Sequence, residues 1–139
     1  MLGYWRRADE ERRVFRGDWF AGGDLVAFDE QGYVWYHGRA DDMMNAGGFR
    51  VSPLEIEAAL ATCPGVAEIA VAEHRVREDV SVIAAYVVRM EGADVNAEDI
   101  LAAAGKRLAA YKRPREIFFL PSLPRSSNGK LMRRNLALG

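Results

Sequence analysis

The chain has 139 residues, half of them hydrophobic and 28% charged, with a formal net charge of −1. That balance suits one globular domain with a real core, and so small a charge gives no overall electrostatic case for nucleic acid or an anionic membrane. A single cysteine, Cys63, excludes an internal disulfide framework; no run resembles a signal peptide or approaches the ~20 apolar residues of a membrane helix, so the cytoplasm is the default compartment.

Residues 1–23, MLGYWRRADEERRVFRGDWFAGG, are charged, aromatic and weakly periodic, and read as a connecting segment. DLVAFDEQGYVWYHG follows, two apolar-rich runs around Asp29-Glu30-Gln31-Gly32. That is the pattern of a β-hairpin with a glycine in its turn. In RADDMMNAGGFRVS, the adjacent Gly47 and Gly48 predict a tight turn or the close approach of another group. SPLEIEAALATCPG predicts a helix with Ser52 as N-cap, Pro53 at its first position, Glu55 completing a capping box, and Pro64-Gly65 ending it. Cys63, near that end, reads as a small buried residue.

VAEIAVAEHRV and SVIAAYVVRM, separated by the charged REDV, predict neighbouring core strands. Asn96 caps a second helix, in which Ile100, Leu101, Ala104 and Leu108 share one apolar face. EIFFL predicts a third short strand closed by Pro121, and KLMRRNLAL a last helical turn or two. The expected class is therefore α+β: an N-terminal β-hairpin followed by a small mixed sheet of about three strands packed with helices.

The C-terminal stretch is locally basic, with Lys112, Arg113, Arg115, Arg125, Lys130, Arg133 and Arg134. A solvated face that offsets acidic segments and a local anion site are competing readings. The usual nucleotide and catalytic motifs are missing. Gly129-Lys130 hints at a phosphate loop, but Pro124 stands where its first glycine belongs and Leu131 replaces Ser or Thr. His37 and His74 have no cysteine partners, which argues against zinc, and no metal ligand set is expected. The serines near Lys130 lack an obvious histidine base.

Three segments carry chemistry together: DWFAGGDLVAFDEQGYVWYHGR, GRADDMMNAGGFRVSPLEIE and LPRSSNGKLMRR. In order and content they resemble the adenylate-forming superfamily of acyl-CoA and aryl-CoA synthetases, peptide-synthetase adenylation domains and luciferases. The resemblance implies an AMP-forming acid–thiol ligase, in which a carboxylate attacks the α-phosphate of ATP and coenzyme A then displaces AMP. It implies that residues 1–39 are the end of an N-terminal adenylating domain with a hairpin linker, and that 40–139 are a mobile C-terminal lid. ATP, Mg²⁺ and CoA are the implied cofactors, with the Mg²⁺ site outside this chain. A small carboxylic acid is the implied substrate, and the missing N-terminal domain the implied partner, so the chain alone is expected to be inactive. Fatty acid metabolism is the broad setting this suggests.

The site roles are likewise implied by the resemblance. Asp24 would bind the ribose hydroxyls, although Gly22 stands where the pattern usually has threonine. Arg39 would contact the ribose and phosphates, and Tyr36 lie near the adenine or simply be a half-buried strand tyrosine. Asp41 falls at the hinge, and Asp42 could instead cap or pair locally. Gly47, Gly48 and Arg50 would approach coenzyme A. Lys130 would be the adenylation lysine, on a loop whose RSSNG sequence suggests mobility. PRSSNGK also resembles the site at which protein acetyltransferases switch off some of these ligases, which makes such an enzyme a candidate partner. Two alternatives remain: an adenylation domain serving a carrier protein, and a non-catalytic nucleotide- or partner-binding module. NAGGFRVSP favours a CoA ligase over the RGYRIEP-like loop of peptide synthetases.

Overall fold

The computed structural model describes residues 15–16 and 19–136, and the chain divides into two units with the division between Asp41 and Asp42. In the first unit, β1 (Phe15–Arg16) pairs antiparallel with β2 (Trp19–Phe20), inside the stretch that the sequence reads as connecting chain. Residues 1–14 and 17–18 of that stretch lie outside the described residues. The expected hairpin is formed by β3 (Asp24–Phe28) and antiparallel β4 (Val34–Arg39). Asp29 builds its turn: the carboxylate accepts from the backbone N–H groups of Gln31 at 3.0 Å and Tyr33 at 2.9 Å, and from Trp35 Nε1 at 2.9 Å. Those bonds, the indole one foremost, hold Asp29 below the ordinary carboxylate range. Gly32, with φ +85°, takes the left-handed position that closes the turn.

The second unit begins with a smaller antiparallel hairpin, β5 (Met44–Ala46) and β6 (Phe49–Val51). Helix α1 (Pro53–Leu60) follows, with Pro53 at its first position and Ile56 and Leu60 fully buried. The capping box expected of Ser52 and Glu55 is not formed: Ser52 makes no side-chain cap bond, and Glu55 pairs with the Lys112 ammonium instead. An ammonium is a stronger partner for a carboxylate than one backbone N–H. Helix α2 (Ala97–Arg107) does carry its expected cap, with Asn96 and Asp99 exchanging backbone and side-chain bonds at 3.0 Å. Ile100, Ala104 and Leu108 are buried as expected, whereas Leu101 is exposed. It sits one residue round from Ile100, past the edge of a narrow apolar stripe.

Strands β7 (Val66–Arg77) and β8 (Val80–Arg89) form the long antiparallel core pair. Past α2 and a single 3₁₀ turn at Ala110–Lys112, β9 (Glu116–Phe119) joins β8 in parallel, completing a mixed three-stranded sheet. Side chains alternate across it. Val71, Ile83, Ala85 and Val87 pack with α1 and α2 residues, and also with Met44 and Val51 of the small hairpin. Ala70, Ala72, Ala84 and Tyr86 face the other way, where Leu123, Leu131 and Leu136 cover them. A sheet buried on both faces explains the near-continuous apolar run in β8. The last helix, α3 (Arg133–Leu136), is one turn; of the rest of the expected final helix, residues 130–132 are not helical, Leu131 bridging Arg125 instead, and 137–138 lie outside the described residues. Among the described residues no helix is long and apolar enough to cross a membrane.

Candidate functional site

The β3–β4 ladder brings three of the predicted site residues together. Asp24 and Arg39 are register partners at its open end, and their side chains form an ion pair at 3.7 Å. Arg39 Nε donates to Asp41 Oδ1 at 2.9 Å, so one guanidinium bridges the two carboxylates. The ladder is prolonged by a bond from the Ala40 N–H to the Gly23 carbonyl at 2.8 Å, and the division between units follows directly. Tyr36 stands opposite Val26 on the same hairpin and is exposed within this chain. Apolar exposure is general here: Val26, Phe28, Tyr33, Val34 and Trp35 are all exposed as well.

Gly47 and Gly48 form the two-residue turn between Ala46 and Phe49, with φ values of +59° and +92°. Positive φ at both positions is the conformation that favours glycine in a hairpin of this length. A Cβ at either would meet nothing within 4 Å, so the turn is also open to an approaching group. Asn45 Oδ1 braces it by accepting from the Gly48 N–H at 3.0 Å. Arg50 lies exposed on β6 opposite Asn45. Beside Gly47 is a cleft of about 420 Å³ lined by residues that include Phe49, Tyr111, Arg113 and Arg115. Phe49 and Tyr111 stack there with ring centres 4.6 Å apart. The sequence reading missed this aromatic pair because its members are far apart in the chain.

Lys130 is carried by a closed turn. Arg125 and Leu131 form an antiparallel bridge; the Ser126 N–H donates to the Lys130 carbonyl at 2.8 Å, and the Gly129 N–H to the Ser126 carbonyl at 2.9 Å. The Lys130 N–H donates to Ser126 Oγ at 3.2 Å. Arg125 clamps the turn, donating to the Gly129 carbonyl at 3.1 Å while its other nitrogen pairs with Glu68 on β7. A stretch whose composition suggests mobility is thus a hydrogen-bonded loop fastened to the sheet.

The basic stretch is mostly structural anchorage and only in part a solvated face. Lys112 holds Glu55, and that bond raises its pKa. Arg113 donates to the Leu108 carbonyl at 2.9 Å and the Gly105 carbonyl at 3.0 Å, satisfying the end of α2. Arg133 is paired with Glu57 on α1 through two contacts, Nη1 to Oε1 at 2.9 Å and Nη2 to Oε2 at 3.0 Å. Glu57 also accepts from the Val71 N–H at 2.8 Å; burial pushes its pKa up, against the pull of Arg133. Asp42 pairs with Arg133, across the chain and not locally. Among the described residues the side chains of Lys130 and Arg115 have no hydrogen-bond or ion-pair partner. Nor do any three His, Cys, Asp or Glu side chains among them come together as a metal site.

Residues 55–130 match the family model of the AMP-binding enzyme C-terminal domain. An acetyl-coenzyme A synthetase of Rubrobacter xylanophilus is 42% identical over 123 residues, which are 86% of this chain and 19% of that protein. An indoleacetate–CoA ligase of Aromatoleum aromaticum is 37% identical over 131 residues, 94% of this chain and 26% of that protein. The crystal structure of ATP-bound MatB from Rhodopseudomonas palustris superposes with a TM-score of 0.88 at 36% identity, over 99% of this chain and 27% of that one. The chain therefore spans about a quarter or less of the length of these relatives.

Proposed function

The chain belongs to the AMP-binding enzyme C-terminal domain family, and on that premise we propose that it is the lid of an ATP-dependent carboxylate–CoA ligase. In this reading residues 1–39 end the adenylating domain, Asp41 is the hinge and 40–139 form the lid. The carboxylate oxygen bonds to the α-phosphorus of ATP as the bond to pyrophosphate breaks. The thiol sulfur of CoA then bonds to the acyl carbon, and AMP leaves.

The observation that carries this reading is Lys130: exposed, without a side-chain partner among the described residues, and held on a closed turn. A preorganised ammonium is what the first step needs, because negative charge builds on the α-phosphate oxygens in its transition state. Its exposure also leaves Nζ accessible to a protein acetyltransferase, which would remove the charge.

Four further features support the assignment. Asp24 and Arg39 pair an acceptor for ribose hydroxyls with a donor fork for phosphate. The cleft beside Gly47 offers an aromatic stack, and a cation in Arg115, to an anionic, base-bearing acceptor such as CoA. The small hairpin packs on the helical face of the sheet through Met44 and Val51, whereas the Lys130 turn packs on the other through Leu131. One rigid lid turned about a hinge can offer these two faces to the same centre in succession. The exposed apolar side chains of β3 and β4 suit burial against an adenylating domain.

Lys130→Ala in the ligase that carries this lid tests the reading. ATP–pyrophosphate exchange should fall by a factor of about 100 to 1000, or roughly 3 to 4 kcal/mol. CoA thioester formation from supplied acyl-adenylate should be kept. Wild-type exchange in the variant would reduce Lys130 to a surface charge.

A further inference from the structure

Arg133 lies three residues beyond Lys130, and its guanidinium joins three parts of the second unit. Its side chain is 13% exposed and that of its partner Glu57 14%. The edge facing Glu57 is held by the two contacts described above, and Glu57 is in turn fixed by the Val71 N–H. The remaining edge is different. There Nε is buried without a hydrogen-bond partner among the described residues, while on the Glu57 edge Nη1, 2.9 Å from Oε1, is paired without hydrogen-bond alignment. Nε faces Asp42 Oδ2 at 3.6 Å, too far for a hydrogen bond. Asp42 is the first residue of the second unit and follows Asp41 directly.

We propose that Arg133 is a positioning residue for Lys130, and that Asp42 closing on its Nε couples the chain at the hinge to the turn that carries the lysine. This rests on the reading of Asp41 as hinge and Lys130 as adenylation lysine. A guanidinium cannot shed its proton, so a buried Nε–H favours whichever arrangement supplies an acceptor. A charged N–H···O bond forms at about 2.7–2.9 Å, so closure requires Asp42 to move by less than about 1 Å. A dihedral change at Asp41 moves the next residue by at least that much. Glu57 pins the far edge of a planar, rigid group, so the movement reorients Arg133 rather than dissipating. From Arg133 to Lys130 the chain has little slack: the Met132 N–H donates to the Pro124 carbonyl at 2.9 Å, and Leu131 bridges Arg125. The hinge state is thereby passed to the lysine through a short braced segment.

The test uses the ligase carrying this lid, with Asp42→Ala, Asp42→Glu and Lys130→Ala side by side. Asp42 has a side-chain exposure of 35%, and its replacement leaves the Glu57–Arg133 pair intact. Asp42→Ala should lower kcat for ATP–pyrophosphate exchange about tenfold, the order expected for a catalytic group displaced by a fraction of an ångström. KM for ATP and thioester formation from acyl-adenylate should be unchanged, and Asp42→Glu should restore most of the exchange. Arg133→Lys, which keeps the charge toward Glu57 and loses the fork, should reproduce the Asp42→Ala split. Wild-type exchange in Asp42→Ala beside a crippled Lys130→Ala overturns the coupling and leaves the Lys130 reading standing. Wild-type exchange in both overturns both. Equal loss of the two half-reactions, tracking a loss of folded protein, shows a merely structural contact and also overturns the coupling.

Discussion

Glu57 is a carboxylate placed where its charge is disfavoured. Burial raises its pKa above the ordinary 4.5, nearby Asp42 adds slightly to the rise, and Arg133 and the Val71 N–H oppose it. A raised carboxylate binds its proton more tightly in the folded chain than in the unfolded one. Stability contributed by this group is therefore fully present below 4.5 and lost as pH rises through the higher folded value. Glu57→Gln removes the titration and keeps an oxygen for the Val71 N–H. Chemical denaturation of both forms across the acid range should show wild-type stability falling relative to the Gln variant as pH rises. A relative gain with pH would mean that Arg133, and not burial, dominates the site. Gly47 and Gly48 present the opposite situation at the same scale. Nothing packs on them, and their positive φ values account for their identity without any buried neighbour.

Among the elements, the junction between α1 and β7 depends on a glycine for two reasons at once. Gly65 has φ +82°, and a Cβ there would lie 3.0 Å from Val95 Cβ and 3.2 Å from Ala93 Cβ. Conformational strain and overpacking act together, so Gly65→Ala should destabilise by about 2 kcal/mol or more. Urea unfolding at constant m-value measures this; a loss below about 0.5 kcal/mol would show that residues 93–95 yield to the methyl group. The two helices differ in how they are closed. Helix α2 is capped locally by Asn96 and Asp99, whereas the first turn of α1 has given its carboxylate to Lys112, 57 residues away.

Over the whole molecule the question is motion. The Lys130 turn is bound to β7 through Arg125 and Glu68, and the following segment to α1 through Arg133 and Glu57. On the proposed reading, Lys130 enters and leaves the reaction centre by rotation of the whole lid about Asp41, not by opening of its own loop. Asp41→Pro in the ligase fixes φ near −65° and restricts Ala40 as well. Adenylation and thioester formation should then be lost unequally, which separate assays of the two half-reactions will reveal. Small and equal losses would place the hinge elsewhere.

The α+β class, the hairpin, both long strands, the Asn96 cap and the glycine turn at residues 47–48 are all legible in the sequence. Each rests on a signal spanning a few residues: an Asp and Gly in a turn, runs of β-branched residues, a polar residue just ahead of an apolar period. The motifs around Asp24, Arg39, Asp41 and Lys130 are equally local, and they carry the family resemblance. What the sequence could not express is pairing across distance. Glu68 and Arg125 are 57 residues apart, and Glu57 and Arg133 76 apart. No spacing rule joins such residues; they meet because α1 and the C-terminal segment are packed against the same strand. The same packing left Ser52 without a cap bond, put Leu101 in solvent, and turned an apparently mobile Ser-Ser-Asn-Gly loop into a braced one. Local chemistry named the residues, and burial and proximity, which exist only in the folded chain, decided which charges became anchors and left Lys130 without a side-chain partner among the described residues.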